Sequence, residues 1–324
     1  MTINEIIQPV EKHILEFDKY FKRLMKSRVS LLDTIIQYIN KRRGKRIRSS
    51  IVFLVSELCG GVNNRTYVGA AMVELLHTAT LIHDDVVDEA RERRGIASIN
   101  ARWNNKIAVL IGDYLLAKGL LIAVENKEFG FLESLSRTVK RMSEGELLQI
   151  QKSKDYNNDE DTYYQIISNK TASLISTCCE IGAMSSSNDT EIHKKMRDFG
   201  ELVGISFQIR DDIFDFSSKS SILGKPVGND LKEKKITLPL IYSLSKVNNN
   251  QSRDILKLIK DKKITKKEIS KVIDFVKANE GIEYAEMRAR EYIDKAQLIL
   301  DTFPDSPAKK SLQNLSIFVF ERDI

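Results

Sequence analysis

Ala71-Met72-Val73-Glu74-Leu75-Leu76-His77-Thr78-Ala79-Thr80-Leu81-Ile82-His83-Asp84-Asp85-Val86-Val87-Asp88 is the stretch on which the reading of this chain turns. Ala71, Leu75 and Leu76 recur at helical spacing and lead directly into the acidic signature Asp84-Asp85-Val86-Val87-Asp88. The same signature returns as Asp211-Asp212-Ile213-Phe214-Asp215, and two chance occurrences in one chain are on the order of one in two hundred. On a helix, residues four apart share a face, which puts Asp84 above Asp88 and Asp211 above Asp215. Stacked carboxylates repel unless a cation joins them, and all-oxygen donors of this kind suit Mg²⁺. Mg²⁺ keeps several waters and is commonly completed by substrate phosphates, so two such helices facing each other describe a cage for a metal-bound diphosphate. One motif alone would read as a solvated acidic helix face; the pair reverses that.

Helical periodicity continues outward in both directions: Ile3, Ile6, Ile7 and Val10 near the start, then Leu32, Ile35, Ile36 and Ile39. No alternating strand pattern of useful length competes. With 5 Pro and 15 Gly in 324 residues, long helices and few tight turns are expected. Breaks fall at residues 60–64, 152–161, 185–189, 217–230, 248–250 and 304–307. The chain therefore reads as all-α, a single large helical bundle of roughly ten or more helices forming one domain over residues 1–324.

Charge and composition narrow the function. The 51 Lys and Arg against 45 Asp and Glu give a net charge of +6, which suits an anionic substrate, a membrane surface or nucleic acid. Against nucleic acid, no aromatic platform or recognition-helix pattern accompanies the densest basic run, Lys41-Arg42-Arg43-Gly44-Lys45-Arg46-Ile47-Arg48, which taken alone is a solvated patch. Cys59, Cys178 and Cys179 offer neither a zinc spacing nor a disulfide framework, which fits a reducing cytoplasmic setting. The segment Met1 to Val10 is not a signal peptide. The apolar run Ala108 to Val124 is interrupted by Asp113 and Lys118 and reads as a buried helix rather than a membrane span.

A diphosphate held on metals calls for fixed cations from elsewhere in the chain. Arg93-Arg94-Gly95 follows the first acidic motif closely enough to sit at the mouth of the same site, and arginine suits bidentate phosphate contacts. His77 lies two helical turns before Asp84 on the same face and points to ligand contact. Gln208 likewise shares a face with Asp211. The segment Ser217 to Asp230, with Gly224, Lys225, Pro226 and Gly228, reads either as a lid carrying a lysine or as an ordinary surface loop.

Leu76-His77-Thr78-Ala79-Thr80-Leu81-Ile82-His83 entering the first motif, Arg93-Arg94-Gly95, Gly112-Asp113, Lys170-Thr171-Ala172, Gln208 before the second motif, and Gly224-Lys225-Pro226 through Asp230 to Lys235 together resemble the trans-polyprenyl diphosphate synthases. The ordered match runs from Gly44 to Pro239, and Phe318-Val319-Phe320-Glu321-Arg322-Asp323 is similar to the family terminus. Two departures are visible. Ser49 stands where the family commonly has proline, and Glu233-Lys234-Lys235 where it commonly has Glu-Gly-Lys.

The resemblance implies an isoprenoid-synthase helical bundle with a central active-site cavity. It implies three Mg²⁺ ions per active site, bound by Asp84, Asp88 and Asp211 with Asp85, Asp212 and Asp215 in support. Lys45, Arg48, His77 and Arg94 are implied for isopentenyl diphosphate; Arg93, Lys170, Thr171, Gln208, Lys225 and Lys235 for the allylic diphosphate. The expected reaction is ionisation of the allylic diphosphate and attack by the isopentenyl double bond, with Lys170 and Gln208 assisting. The family is usually homodimeric, and the apolar helix from Ala108 to Val124 is the place to look for that contact. No transmembrane segment is expected, and peripheral membrane contact belongs to product release.

In the family the residues just ahead of the first motif floor the product tunnel. Thr80 lies about 40° around the helix from Asp84 and Ala79 about 140°. Neither is aromatic, so the tunnel should pass a C15 chain and stop deeper, at Leu116, Leu120 or Leu121, giving a C30 to C40 product of the kind used for a quinone side chain. Burial of each added isoprene unit gains roughly 4 kcal/mol, at about 0.8 kcal/mol per carbon, so long products should leave slowly. Two other readings stand beside this one. A class I terpene cyclase has a different second metal motif and does not need the Lys45/Arg48 group. A non-catalytic subunit of a two-component synthase typically lacks one acidic motif.

Overall fold

The computed structural model describes residues 2–41, 46–93, 95–155, 159–216, 228–260 and 264–321. In chain order these form α1 (Ile3–Ile7), a 3-10 turn (Gln8–Val10), α2 (Glu11–Leu24), α3 (Ser30–Lys41), α4 (Ile47–Cys59), α5 (Asn64–Val87), β1 (Glu92–Arg93), β2 (Ile96–Ala97), α6 (Ile99–Arg102), α7 (Asn105–Glu125), α8 (Phe129–Asp155) and α9 (Glu160–Ile167). A π-helical turn (Ser168–Ala172) leads to α10 (Ser173–Ser186), α11 (Thr190–Phe214), α12 (Asn229–Lys232), α13 (Leu238–Lys246), α14 (Asn249–Lys260), α15 (Lys266–Ala278), α16 (Gly281–Asp301) and α17 (Pro307–Glu321). The expected all-α class is observed. The one feature that periodicity did not anticipate among the strands is a two-residue antiparallel hairpin pairing Glu92 with Ala97 and Arg93 with Ile96.

The chain divides into two compact units whose segments alternate along the sequence. The first comprises Met1–Arg137, Thr177–Arg197 and Phe303–Leu312. Its centre is α4 and α5. Residues 49–56 of α4 are all buried, as are residues 68–76 of α5. α5 begins where the Gly60-to-Asn64 break was expected: Asn63 caps it, its Oδ1 accepting from the Arg65 N–H at 2.9 Å. α2 turns Ile14, Phe17 and Phe21 inward at helical spacing. α7 packs along α5 through small residues, Ala108, Gly112, Gly119 and Ala123, which allow close approach of the two helices.

α7 is only half of the buried helix that its composition suggested. Val109, Leu110, Leu120, Leu121 and Val124 are 41–55% exposed along its other face. It is the one described helix long and apolar enough to cross a membrane. Leu120 and Leu121 therefore do not floor an interior tunnel in this chain; the 100° turn per residue carries them round to the surface side of α7.

The second unit comprises Thr138–Ser176, Asp198–Thr302 and Gln313–Ile324. Its core joins α9, α11, α13, α15 and α16 through Tyr163, Ile167, Ile209, Ile213, Leu240 and Val276, with Ala285 and Ala289 of α16 fully buried. Arg141 of α8 fixes the π turn from one side. It donates to Asn169 Oδ1 at 3.0 Å and Ser168 Oγ at 2.8 Å, and pairs with Glu201 at 2.6 Å.

Candidate active site

In the first unit, α5 delivers the first acidic motif at its C-terminal end. Asp84 lies in the last turn and Asp88 is the C-cap residue, its N–H still donating to the Asp84 carbonyl at 2.8 Å. The expected i, i+4 relation is therefore kept. Asp84 is half-buried and Asp88 exposed. Asp85 points the other way and is 3% exposed. Burial raises its carboxyl above the ordinary range, opposed by the Arg93 guanidinium, whose Nε donates to Asp85 Oδ1 at 2.6 Å.

The turn after the motif is tied down by Asn100, whose Nδ2 donates to the carbonyls of Asp85 (3.0 Å) and Ala90 (3.1 Å). Ser98 Oγ donates to the same Ala90 carbonyl at 2.6 Å. These bonds fix the loop that returns Arg93 to Asp85. Gly112 leaves room for the His83 ring, since a methyl group there would lie 2.1 Å from His83 Nε2, and that nitrogen is 3.5 Å from Asp113. The Gly112-Asp113 pair thus has a packing role around His83.

Arg48, His77, Arg93 and Asp85, contributed by α4, α5 and β1, line one cleft of about 200 Å³ whose remaining wall is mostly apolar. Arg48 and His77, far apart in sequence and both expected on isopentenyl diphosphate, are brought together. Arg93, expected on the allylic diphosphate, lines this cleft too and is engaged with Asp85. Ala79 is fully buried; Thr80 is half-buried, its Oγ1 donating to the His77 carbonyl at 3.1 Å.

In the second unit, Asp211 lies in the last turn of α11 and is half-buried. The expectation for Asp215 is corrected. Asp215 follows the end of α11 as Asp88 follows the end of α5, but its N–H donates to the Asp212 carbonyl at 3.2 Å rather than to that of Asp211, so the backbone tightens there and does not continue the helical face of Asp211. Its carboxylate instead caps α12, accepting from the N–H groups of Asn229 (2.8 Å) and Asp230 (3.0 Å). Asp215 holds the start of α12, a supporting role of a different kind from the stacked pair.

Asp212 is 4% exposed and is reached directly by two side chains and by a third through one of them. Tyr163 Oη donates to Asp212 Oδ2 at 2.7 Å, Gln208 Nε2 donates to Asp212 Oδ1 at 2.8 Å, and Thr171 Oγ1 donates to Gln208 Oε1 at 2.8 Å. Gln208 therefore serves Asp212, although its spacing suggested Asp211. Burial, and then the charge of Asp230, pushes the Asp212 carboxyl well up; burial, and then Asp215, raises Asp230 to about 6.

Lys170 and Thr171 sit in the π turn, a local widening of the helix that is often found at functional sites. The Lys170 ammonium donates to Gln149 at 3.0 Å and forms an ion pair with Glu146, both on α8. Gly145 allows that approach. Lys235 Nζ donates to Glu233 at 2.5 Å.

Tyr163, Glu146, Gln149 and Asn100 were not singled out from the sequence. Tyr163 carried a usable signal, because it precedes Lys170 by seven residues, the same two-turn spacing that flagged His77. Lys45, Arg94 and Lys225 lie outside the described residues, as do Arg322 and Asp323 of the terminal segment.

Among the described residues no three His, Cys, Asp or Glu side chains gather to hold a metal ion. A Mg²⁺ site completed by substrate phosphate and water needs only one or two carboxylates, so the donor set fits. Asp84, Asp88 and Asp211 supply oxygen only, and each lies at the C-terminal end of a helix of more than 20 residues, where unsatisfied carbonyls and the helix dipole favour cations.

The polyprenyl synthetase family model matches residues 29–276, most of the chain. An all-trans-nonaprenyl-diphosphate synthase from Rhodobacter capsulatus, described as geranyl-diphosphate specific, is 35% identical over 98% of this chain and 97% of its own length. The structure of a polyprenyl synthase from Caulobacter crescentus, complexed with calcium and isoprenyl diphosphate, is 30% identical, covers 100% of this chain and 98% of its own, and superposes with a TM-score of 0.91. A geranylgeranyl pyrophosphate synthase from Bacteroides thetaiotaomicron is 36% identical over 99% of both chains, with a TM-score of 0.84. The fold is that of the isoprenoid synthases, and the chain belongs to the polyprenyl synthetase family, the trans-polyprenyl diphosphate synthases.

Proposed function

We propose that this prenyltransferase condenses isopentenyl diphosphate with an allylic diphosphate in a single catalytic domain and makes an all-trans product of C30 to C40. The observation that carries the reading is the cleft lined by Arg48 and His77, from different helices, and by Asp85, on the helix whose C-terminal end carries Asp84 and Asp88. A compact cationic wall at the end of an aspartate-bearing helix suits a diphosphate, and the apolar remainder of the cleft suits its hydrocarbon.

Arg48 and His77, with Lys45 and Arg94, hold isopentenyl diphosphate. Lys170, Thr171, Gln208, Lys225 and Lys235 hold the allylic diphosphate, and Arg93 joins them while anchored on Asp85. Asp84, Asp88 and Asp211 hold Mg²⁺, three ions per site. When bound, Mg²⁺ neutralises the departing diphosphate and so favours cleavage of the allylic carbon–oxygen bond. Lys170, kept in place by Glu146 and Gln149, places a fixed positive charge at the same leaving group. The isopentenyl double bond then attacks the allylic cation, and loss of a proton to the released diphosphate restores an alkene. No side-chain nucleophile takes part.

Small side chains at Ala79 and Thr80 support passage beyond C15. The similarity to a nonaprenyl synthase supports a long product, and the similarity to a geranylgeranyl synthase marks C20 as the competing outcome. The exposed apolar face of α7 supports a homodimer, and a quinone side chain, a cytoplasmic location and membrane contact at release complete the reading. The test is incubation of pure protein with labelled isopentenyl diphosphate, farnesyl diphosphate and Mg²⁺, followed by sizing of the dephosphorylated products. A dominant C30 to C40 band is expected. Termination at C20 would refute the long-chain reading, and no elongation would favour a non-catalytic subunit or a terpene cyclase.

A further inference from the structure

Arg46 belongs to the basic run that reads, from composition, as a solvated patch, yet its side chain is 10% exposed. Its backbone is left-handed, with φ 52° and ψ 32°, a conformation that a residue with a Cβ keeps only where its surroundings over-determine it. The surroundings do so. Nη1 donates to Glu74 Oε2 at 2.7 Å and Nε to Asp18 Oδ1 at 3.2 Å, while the guanidinium lies 4.7 Å from the Phe21 ring centre and 5.5 Å from that of Phe17. The Arg46 carbonyl accepts from the hydroxyls of Ser49 (3.0 Å) and Ser50 (2.8 Å) and starts α4.

Glu74 completes the link from the α5 side. It is 7% exposed, and its Oε1 accepts from the Ser49 N–H at 3.3 Å. That N–H is one of the unsatisfied donors of the first turn of α4, and proline, which the family commonly places there, has no N–H to offer. The departure at Ser49 is therefore used: it adds a second bond between the start of α4 and Glu74. Glu74 also shares a helix face with His77, three residues on. Arg46, Arg48, Glu74 and His77 line the same cleft.

We propose that Arg46 and Glu74 are a positioning pair for the isopentenyl diphosphate subsite. By clamping the start of α4 to the middle of α5, the pair sets the separation of Arg48 and His77, two of the four residues assigned above to the isopentenyl diphosphate. A buried acid at an anion site would oppose binding if its only effect were its charge; neutralised by Arg46, it serves as an anchor. Asp18 and the two phenylalanines brace the arginine, and Ser49 braces the glutamate. The proposal rests on the function assigned above.

The test is steady-state kinetics of Glu74→Gln, which keeps the shape and removes the charge, and Arg46→Lys, which keeps the charge and removes the fork, each with its thermal transition recorded. Both variants are expected to raise KM for isopentenyl diphosphate about tenfold, the scale of a sub-ångström misplacement, with KM for the allylic substrate unchanged. A purely structural ion pair would lower the folded fraction, and with it the apparent kcat, without this selectivity. An unchanged or lowered KM for isopentenyl diphosphate, or an equal rise in both KM values, would overturn the proposal while elongation by the parent enzyme left the function standing. Absence of elongation by the parent would overturn both.

Discussion

Tyr163→Phe removes one oxygen atom from a closed part of the second unit. Tyr163 is 2% exposed, its hydroxyl donates to Asp212 Oδ2 at 2.7 Å, and the ring is held by the core formed by α9, α11 and α13. Phenylalanine fills the same space, so no cavity of consequence forms. What is lost is one of the two described donors to a buried carboxyl, the other being Gln208 at 2.8 Å. A hydrogen bond to an ionisable group contributes about 1.5–3 kcal/mol, so the metal-free protein should lose about 2 kcal/mol. At roughly 2 °C per kcal/mol for a chain of this size, Tm should fall by about 4 °C.

The effect on turnover should be larger in relative terms. Asp212 is the neighbour of Asp211, proposed above as a Mg²⁺ ligand, and removing a partner that orients such a carboxylate commonly costs about 10–100-fold in metal affinity or activity. The assay is elongation measured across a Mg²⁺ titration, with Tm recorded on the same protein without metal. The expected result is a higher Mg²⁺ half-saturation and a lower kcat, with KM for isopentenyl diphosphate unchanged. A variant with the parent's Mg²⁺ dependence and kcat would refute the reasoning, as would a loss of activity matched by the loss of folded protein.

A pH effect follows from Asp230. Burial and the charge of Asp215 raise its carboxyl to about 6 from the ordinary 3.8, so between these pH values the folded chain binds a proton that the unfolded chain has released. Metal-free protein should lose on the order of 3 kcal/mol of stability as pH rises from about 4 to about 6, with little further loss above, and Asp230→Asn should remove that loss; identical pH dependence in thermal scans of parent and variant would contradict it. Gly145→Ala would place a methyl group 2.9 Å from Asn169 Cβ and 3.1 Å from the Lys170 nitrogen. Overpacking of that kind costs about 1–3 kcal/mol, and the displaced π turn should raise KM for the allylic substrate with KM for isopentenyl diphosphate unchanged; a variant with parental allylic KM would count against the placement of Lys170.

Much of the architecture was legible because helix periodicity and chemistry coincide in α5. Ala71, Leu75 and Leu76, buried in its middle, recur at the same helical spacing that puts His77 and Asp84, the proposed ligand-binding residues, on one face. The second motif shows the limit of the same rule. Asp211 and Asp215 have helical spacing, yet the backbone leaves the helix after Phe214, and no single-residue signal marks that end. The nearest breaker, Gly224, is ten residues further on. The basic run failed for another reason: burial of Arg46 depends on Glu74 and Asp18, which lie 28 residues away in opposite directions, and only tertiary packing brings them together. α7 was half legible. A continuous apolar composition states that a helix avoids water, but gives no account of what covers each face.

The π turn at Ser168–Ala172 sets a geometrical condition on the site. In a regular α-helix, Tyr163 and Thr171 would point about 80° apart around the axis. The wider turn, in which the Ser173 N–H reaches back five residues to the Ser168 carbonyl, winds less per residue and narrows that angle. Both hydroxyls can then serve the Gln208–Asp212 pair on α11. Deleting one residue between Tyr163 and Thr171 would give a regular helix in which the two lie seven residues apart, about 20° from alignment, so the π turn is what lets an eight-residue spacing keep the phase of two full turns. The turn thus absorbs one residue without turning either hydroxyl away from the hydrogen-bonded order around the second aspartate motif.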